Sequence, residues 1–193
     1  MRVVIAAILG YVLGSISTGV ILGRVFAGKD IRSIGSGNTG ASNAARVLGI
    51  KLGVLVAGGD VAKGMLATVA GGLIAHSQLG AAAGGAAAVI GHILPIWHGF
   101  RGGKAIATFF GSCVILAPAV TPVAALAWGV AFGACRSIPL ASAIASACLP
   151  VFGWALAEPW PAVLYLTVSG YAISARHIPD VVGIRQLTPH RRP

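Results

Sequence analysis

The sequence has few charged residues, and acidic residues are the scarcest of them. Only 9% of the 193 residues are charged and four are Asp or Glu, whereas 56% are hydrophobic. An average soluble domain carries about 25% charged residues. So few charges cannot cover the water-facing surface of a chain that is long enough for one ordinary domain. The composition therefore predicts a membrane protein and excludes an ordinary soluble domain.

Residues that usually supply catalytic or metal-binding groups are also scarce. The three cysteines, Cys113, Cys135 and Cys148, lie far apart without a CxxC pair, and we interpret them as small buried hydrophobic residues. The chain contains no His-x4-Asp pair, no Gly-x-Ser-x-Gly motif and no metal-ligand cluster. We therefore expect no metal and no cofactor.

Long apolar runs, by contrast, occupy most of the chain. A membrane-spanning helix needs about 20 mostly apolar residues, with roughly 17 to 25 tolerated. The candidate segments, some of them short, are 3–22, 52–74, 79–96, 106–116, 120–134, 139–156 and 161–175. We predict an all-α integral membrane protein, a compact bundle of about seven transmembrane helices that forms one domain over residues 1–193. A five-helix count applies if the short pair 106–116 and 120–134 is a re-entrant hairpin.

Basic residues fall mainly in alternate connections between these segments. Twelve of the fourteen lie in 24–51, 97–105, 135–138 and 176–193, and they are Arg24, Lys29, Arg32, Arg46, Lys51, Arg101, Lys104, Arg136, Arg176, Arg185, Arg191 and Arg192. Because basic loops remain in the cytoplasm, we predict a cytoplasmic C-terminus and an outside N-terminus. We attribute the net charge of +10 to membrane topology and to the binding of anionic ligands, and we expect no nucleic acid partner.

Glycine recurs at helical spacing within the apolar segments. The Gly-xxx-Gly pairs are Gly10 and Gly14, Gly19 and Gly23, Gly80 and Gly84, and Gly129 and Gly133. Small residues allow helix backbones to approach closely in lipid. We therefore predict tight helix packing at each of these pairs.

The connection after the first segment contains the stretch Gly35-Ser36-Gly37-Asn38-Thr39-Gly40-Ala41-Ser42-Asn43-Ala44-Ala45-Arg46. Its glycines allow successive N–H groups to point into one concavity. The alanine-rich end predicts the start of a helix, whose positive end favours an anion. Arg46 adds a full charge that suits phosphate. An anion site and a flexible loop before an Asn-capped helix both fit these residues.

A second connection places two glycines between two cations. Gly91-His92-Ile93-Leu94-Pro95 is followed by Phe100-Arg101-Gly102-Gly103-Lys104. Anchoring at the cytoplasmic face explains the charges, but the glycines between them also suit an anion cradle. His92 taken alone is interpreted as a packed or capping residue.

Asp60 and Lys63 lie inside an apolar segment, on one face of the predicted helix. Ionisable groups inside a span are costly and usually face a polar interior. A mutually paired structural bridge and a contribution to a polar site both fit the two residues.

Two more polar stretches, Arg136-Ser137-Ile138-Pro139-Leu140-Ala141-Ser142 and Arg176-His177, fall at predicted helix ends on the same side as the glycine-rich connections. We therefore predict one basic, glycine-rich site at this membrane boundary. An enzyme is the favoured interpretation. A small transporter or channel for an organic anion is the alternative, although a transporter needs its site near the midplane. A non-catalytic membrane scaffold is the third.

In order and spacing, these residues resemble the bacterial acyl-phosphate:glycerol-3-phosphate acyltransferases, the PlsY-type family, over nearly the whole chain. The resemblance is carried by Gly35-Ser36-Gly37-Asn38-x-Gly40-x-x-Asn43 with Arg46, Asp60-x-x-Lys63-Gly64, Gly91-His92-x-x-Pro95, Phe100-x-Gly102-Gly103-Lys104, Leu140-Ala141-Ser142 and Arg176-His177. It implies transfer of a fatty acyl group from acyl-phosphate to the 1-hydroxyl of glycerol 3-phosphate. The product would be lysophosphatidic acid, made at the cytoplasmic face of the bacterial plasma (inner) membrane.

The resemblance also implies roles for single residues. The expected catalytic residues, which would bind glycerol 3-phosphate or stabilise charge on the carbonyl, are Arg46, Lys104, Ser142 and His177. The expected phosphate-binding residues are Ser36, Gly37, Asn38, Thr39, Gly40, Asn43, Arg101, Gly102 and Gly103, with Asp60, Lys63 and His92 in support. Expected partners are acyl-phosphate, glycerol 3-phosphate and the lipid bilayer, with the acyl-phosphate-producing enzyme as a further candidate.

Three positions depart from the residues usual in that family. Arg101 replaces a Lys, Ala105 replaces a Gly, and Asp180 stands where Asn is usual. An acid near two phosphates is unfavourable unless it is protonated or paired. Because the residues show no nucleophile–base pair, we expect the substrate hydroxyl to attack acyl-phosphate directly, without an acyl-enzyme.

Overall fold

The computed structural model describes residues 1–183, and this part of the chain contains helices and no strand. The α-helices are α1 (Arg2–Ser15), α2 (Thr18–Ala27), α3 (Ala41–Leu48), α4 (Ile50–Ala75), α5 (Gln78–Ile93), α6 (Ile106–Leu116), α7 (Val120–Cys135), α8 (Ile138–Ala147), α9 (Leu149–Ala155) and α10 (Trp160–Val181). Short 3-10 helices cover Ile31–Ser33 and Ile96–His98. Arg185, Arg191 and Arg192, which entered the prediction of orientation, lie outside the described residues.

Each of the seven predicted apolar segments is helical, and the all-α integral membrane fold is confirmed. Among the described residues, three helical stretches are long and apolar enough to cross a membrane: Arg2–Ala27, Ile50–Ala75 and Gln78–His98. The pair α8 and α9 makes a fourth if the two helices count as one span. Helices α6 and α7 are shorter apolar helices of the bundle.

Two of the predicted segments are broken rather than straight. The first divides into α1 and α2 at Ile16, which has an extended conformation. The segment 139–156 bends by 40° between α8 and α9. Pro150, in the first turn of α9, has no N–H for the preceding turn, and its ring disfavours a continuous helix.

Glycine-mediated packing holds α1, α4 and α5 together. A Cβ at Gly10 would overlap the carbonyl of Gly84, and a Cβ at Gly14 would overlap that of Ala88. The prediction of tight packing is wrong for Gly129 and Gly133, because a Cβ at either would have no neighbour within 4 Å. Sequence spacing alone does not reveal whether a second helix faces the glycines.

Two apolar clusters position the polar segments. The larger cluster joins α5, α6 and α10, where the rings of Phe109 and Tyr165 stack 5.8 Å apart and the Tyr165 hydroxyl donates to the Phe109 carbonyl at 2.8 Å. The smaller one consists of Val20, Ile31, Ala44 and Val56. It fixes the first polar loop and α3 against α4.

Candidate active site

One cavity of about 1310 Å³ opens where four polar segments of the chain meet. It is lined by Ser36, Asn38, Gly40, Ala41, Ser42, Asn43, Arg46, Asp60, Val61, His92, Lys104, Ala105, Ile106, Ala107, Phe110, Trp128, Ile138, Pro139, Ser142, His177, Asp180 and Gly183. The structure therefore brings both glycine-rich loops, the start of α8 and the end of α10 to one site.

Ten of the residues singled out from the sequence line this cavity: Ser36, Asn38, Gly40, Asn43, Arg46, Asp60, His92, Lys104, Ser142 and His177. Six do not line it: Gly37, Thr39, Lys63, Arg101, Gly102 and Gly103. Thr39 is buried at 2% exposure, whereas Arg101 lies on the exposed surface. The second group therefore shapes the site or stands outside it.

Asn43 organises the first glycine-rich loop. Its buried side-chain amide donates to the carbonyls of Ile31, Ile34 and Asn38 at 3.1, 3.1 and 2.9 Å. Its side-chain oxygen accepts the Ser36 N–H at 2.9 Å. Both ends of the amide are thus used inside the loop, so the Asn43 side chain shapes the loop and does not fit the predicted role of a phosphate donor.

An ion-pair cluster secures the same loop from outside the cavity. Asp30 caps the 3-10 helix by accepting the Arg32 N–H at 3.0 Å, and its carboxylate also pairs with the guanidinium groups of Arg32 and Arg24 at 2.7 and 3.0 Å. The side-chain hydrogen bond from Arg32 holds the pKa of Asp30 well below its usual range and raises the pKa of Arg32. Arg32 also donates to the His98 carbonyl at 3.1 Å, which ties the first loop to the second.

Helix α3 begins at the cavity wall. Ala41, Ser42 and Asn43 form its first turn ahead of the first intrahelical bond, which the Ala44 N–H donates to Gly40 at 3.1 Å. Early N–H groups of a helix have no acceptor within the helix and carry its positive end. Arg46, one turn further along, adds a guanidinium to the cavity lining. The start of α3 and Arg46 therefore give this wall a positive electrostatic character.

The second glycine-rich loop differs from the predicted anion cradle. The Gly102 and Gly103 N–H groups donate to the carbonyls of Ile93 and His92, each at 3.1 Å. A Cβ at Gly102 would overlap the His92 carbonyl, and one at Gly103 would overlap the His92 ring. These glycines are needed for close packing, and their amides are already used within the loop.

Arg176 anchors this loop to α10. Its guanidinium donates to the carbonyls of Gly103 and Gly102 at 3.2 and 3.1 Å. The next residue of the loop, Lys104, forms an ion pair with Asp180, four residues after Arg176. Lys104 and Asp180 both line the cavity, with side chains 24% and 16% exposed. The acid that departs from the family pattern is therefore paired with a cation.

His177 and Ser142 also line the cavity. The carbonyl of Ile173 accepts a hydrogen bond from His177 Nδ1 at 2.9 Å. In its neutral form the ring therefore carries its proton on Nδ1, and Nε2 is left as an acceptor. The Ser142 hydroxyl accepts from Trp128 Nε1 at 3.0 Å, which joins α7 to α8.

A buried polar network backs the cavity wall. Asp60 pairs with Lys63 at 2.9 Å, accepts a hydrogen bond from Thr18 at 3.2 Å, and lies 3.5 Å from His92 Nδ1. The Thr108 hydroxyl meets the same His92 nitrogen at 3.2 Å. Because Asp60 and Thr108 approach one ring nitrogen, they do not form a proton relay through His92. Asp60 and Lys63 are the mutually paired bridge, with Asp60 at the cavity.

Part of the cavity lining is apolar, and the sequence analysis did not single out its largest side chains. Ile106, Phe110 and Trp128 form this part of the wall and also border a smaller side pocket of about 30 Å³. Residues 106–116 and 120–134 were recognisable as apolar helices, but an apolar run does not show which of its side chains face a cavity. The feature that distinguishes Trp128 is its hydrogen bond to Ser142, and this contact is visible only in the folded structure.

Comparison with known proteins agrees with this arrangement. A family model described as glycerol-3-phosphate acyltransferase matches residues 4–186. The chain is 42% identical over 172 residues to a glycerol-3-phosphate acyltransferase of Pseudomonas paraeruginosa, and the match covers 89% of each chain. The fold is similar to that of PlsY (YgiH), an integral membrane glycerol 3-phosphate acyltransferase.

The glycerol 3-phosphate form of that crystal structure superposes with a TM-score of 0.85 at 31% sequence identity, covering 96% of this chain and 93% of the other. Its lysophosphatidic acid form gives a TM-score of 0.83 over the same shares. Since the family model and the shared fold both span almost the entire described chain, the protein belongs to the glycerol-3-phosphate acyltransferase family.

Proposed function

We propose that this protein transfers a fatty acyl group from acyl-phosphate to the 1-hydroxyl of sn-glycerol 3-phosphate, giving lysophosphatidic acid and phosphate for phospholipid synthesis. The observation that carries the proposal is the composition of the cavity. A single space of about 1310 Å³ joins a cationic wall at Arg46 and Lys104 to an apolar wall at Ile106, Phe110 and Trp128. A phosphate and a fatty chain need these two environments side by side.

The cationic wall suits the phosphates of both substrates. The first turn of α3 presents backbone N–H groups and the positive helix end. Arg46 supplies a planar guanidinium that matches phosphate oxygens, and Lys104 supplies a compact ammonium. The glycerol 3-phosphate form of the similar PlsY structure supports glycerol 3-phosphate as the acceptor here.

The apolar wall suits the acyl chain of donor and product. Ile106, Phe110 and Trp128 come from helices α6 and α7, which belong to the apolar bundle. A chain lying here would stay out of water while its head group reaches the polar loops, and burial of each methylene contributes about 0.8 kcal/mol. The lysophosphatidic acid form of the similar structure supports this product.

The reaction we propose is a direct displacement. The 1-hydroxyl oxygen of glycerol 3-phosphate attacks the acyl carbonyl carbon, the bond from that carbon to the phosphate oxygen breaks, and the hydroxyl proton leaves with the departing phosphate. Lys104 and Arg46 stabilise the negative charge that develops on the phosphate and the carbonyl oxygen. His177 lies at the same wall and orients the acceptor through Nε2.

The hydroxyl groups of the cavity support a mechanism without an acyl-enzyme. Ser142 accepts its hydrogen bond from Trp128, not from a histidine. Thr108, which does contact His92, is fully buried outside the cavity lining. Among residues 1–183, no hydroxyl of the cavity lining has a histidine or carboxylate as a hydrogen-bond partner. Acyl-phosphate is already an activated donor, so no enzyme nucleophile is required.

We further propose that the site faces the cytoplasm of a bacterial plasma (inner) membrane. The polar segments that build the cavity, with their flanking helix ends, carry Arg24, Lys29, Arg32, Arg46, Arg101, Lys104 and Arg136. Basic loops of this kind are retained on the cytoplasmic side, where soluble glycerol 3-phosphate reaches them. Membership of an acyltransferase family favours this enzyme over the anion transporter that the residues alone also allowed.

The test is a reconstituted assay with purified protein in detergent. Palmitoyl-phosphate and glycerol 3-phosphate are supplied, lysophosphatidic acid and released phosphate are measured, and palmitoyl-coenzyme A is the parallel donor. Lys104→Ala should reduce turnover by roughly 100-fold, as expected for loss of a group that stabilises the transition state. Lys29→Ala is the matched control, because it removes an exposed lysine that does not line the cavity.

Each outcome separates the alternatives. Product from palmitoyl-phosphate that is lost in Lys104→Ala and kept in Lys29→Ala supports the donor, the acceptor and the site together. Product only from palmitoyl-coenzyme A would overturn the acyl-phosphate donor. An acyl group trapped on the protein after rapid quenching would overturn the direct displacement.

A further inference from the structure

The ion pair between Lys104 and Asp180 places a carboxylate on a cation of the cavity. Lys104 follows the second glycine-rich loop, Asp180 lies in the last turn of α10, and both side chains line the space. A carboxylate and a phosphate present similar oxygen anions to an ammonium group. Asp180 therefore occupies the position at Lys104 that an anionic ligand needs.

The charges around the cavity show why this pairing matters. The ionisable lining residues with fixed charge are Arg46, Lys104, Asp60 and Asp180. Asp60 is already neutralised by Lys63 behind the wall. Lys104 is paired with Asp180. Arg46, the other lining cation, has no carboxylate of the described residues within ion-pair distance. One guanidinium is a small countercharge for a phosphate dianion.

Lys104 can change partner without releasing its loop. Arg176 holds the Gly102 and Gly103 carbonyls at 3.1 and 3.2 Å, independently of the Lys104 side chain. The lysine stem is flexible, and both charged groups are partly exposed, at 24% and 16%. The pair can therefore open locally while the loop keeps its attachment to α10.

From these contacts we infer that Asp180 is an internal substitute for the substrate phosphate and lowers the affinity of this site for glycerol 3-phosphate. The inference rests on the proposed function, because it concerns the acceptor of that reaction. An incoming phosphate must either displace the Asp180 carboxylate from Lys104 or bind against its repulsion, since like charges a few ångströms apart disfavour each other. Asp180 thus raises the concentration of glycerol 3-phosphate that is needed to occupy the site.

The decisive variant is Asp180→Asn, which keeps the shape of the side chain and removes its charge. Asp180→Glu keeps the charge. Glu158→Gln removes one negative charge at the other end of α10, about 30 Å away along the helix, and controls for net charge. Affinity is measured as ligand-induced thermal stabilisation of the detergent-purified protein, titrated with sn-glycerol 3-phosphate and separately with inorganic phosphate.

We expect Asp180→Asn to bind both ligands roughly threefold or more tightly than the wild type, the factor that removal of a partly exposed competing ion pair allows. Glu158→Gln should match the wild type, and Asp180→Glu should stay within about twofold of it. Adding Lys104→Met to Asp180→Asn should abolish the gain, because the released ammonium is then absent.

Unchanged or weaker binding in Asp180→Asn would overturn the inference, because it would make the carboxylate a structural group or a direct contact of the ligand. An equal gain in Glu158→Gln would also overturn it, since the effect would then come from net charge. The titration needs no acyl donor, so it is independent of turnover. Failure of the wild type to bind either ligand would overturn the proposed function along with the inference.

Discussion

The ammonium of Lys63 donates a hydrogen bond to the backbone carbonyl of Ile16 at 2.8 Å, at the break between α1 and α2. Ile16 directly follows α1, and no backbone N–H of a following helical turn donates to its carbonyl in the regular pattern. Lys63 supplies the missing donor from α4 and is held there by Asp60 at 2.9 Å. A charge inside an apolar segment therefore stabilises a break in the neighbouring helix.

We predict that Lys63→Met destabilises the protein strongly. Lys63 and Asp60 are only 6% and 2% exposed, and removal of one partner of a buried ion pair costs about 3–5 kcal/mol because the other charge is left uncompensated. The measurement is the unfolding temperature in detergent. Lys51→Met, which changes an exposed lysine of the same helix, should leave that temperature nearly unchanged, and equal effects of the two changes would contradict the role of Lys63.

Asn43 gives a second prediction, on substrate affinity. Asn43→Asp keeps the oxygen that accepts the Ser36 N–H but loses the donors to three carbonyls and places a charge beside their oxygens. Each hydrogen bond contributes about 1 kcal/mol, so the first loop should lose its shape. We expect the KM for glycerol 3-phosphate to rise at least about tenfold, as measured in the acyl transfer assay.

The control for this change is Ser33→Ala. The Ser33 hydroxyl also bonds within the same loop, to the Asp30 carbonyl at 2.8 Å, but it is exposed and does not line the cavity. Its loss should change KM by less than about twofold, because an exposed hydrogen bond is readily replaced by water. If Asn43→Asp changed KM as little as Ser33→Ala, the hydrogen bonds of the Asn43 side chain would not determine the shape of the first loop.

The helices were predictable because their signal is local. A run of apolar residues between Pro, Gly and charged positions shows where a helix can lie in lipid, and the predicted segments 106–116 and 120–134 agree closely with α6 and α7. The break at Ile16 was not predicted. Its stabilising partner, Lys63, lies 47 residues away in sequence, and no local pattern contains that information.

The site was predictable in its location and less so in its parts. Alternate basic loops must meet at one end of a helical bundle, and the cavity lies where they meet. A glycine in a loop, however, can expose its N–H to an anion or allow a neighbouring backbone to pack closely, and the sequence does not distinguish these two roles. Gly102 and Gly103 have the second role. The contact between Lys104 and Asp180 joins two distant segments, and only the folded chain reveals it.

Gly10 and Gly129 provide a third prediction, as a matched pair. A Cβ at Gly10 would overlap the backbone of Gly84, whereas a Cβ at Gly129 would meet no atom within 4 Å. Gly10→Ala should therefore destabilise the protein by about 1–3 kcal/mol through overpacking. Gly129→Ala should stabilise it by roughly 0.5–1 kcal/mol, because alanine loses less backbone entropy in a helix.

Thermal unfolding of the two variants in one detergent makes this comparison direct. The two substitutions add the same methyl group to a helical glycine. Changes of opposite sign in the unfolding temperature would therefore isolate the effect of the backbone that faces Gly10. Destabilisation by Gly129→Ala would contradict the open surroundings of Gly129. A neutral Gly10→Ala would show that α1 and α5 can separate slightly at little cost.

The fourth prediction concerns the acid sensitivity of the first loop. Hydrogen bonds from Arg32 and then Arg24 lower the pKa of Asp30 below its usual value of about 3.9. A group whose pKa falls on folding contributes stability that is fully present above the unfolded value and lost as pH falls through the folded value. The unfolding temperature of Asp30→Asn should therefore lie below that of the wild type at pH 7, and the gap should narrow progressively as the pH is lowered below about 4. A gap that widened with acid would contradict the pairing of Asp30 with the two arginines.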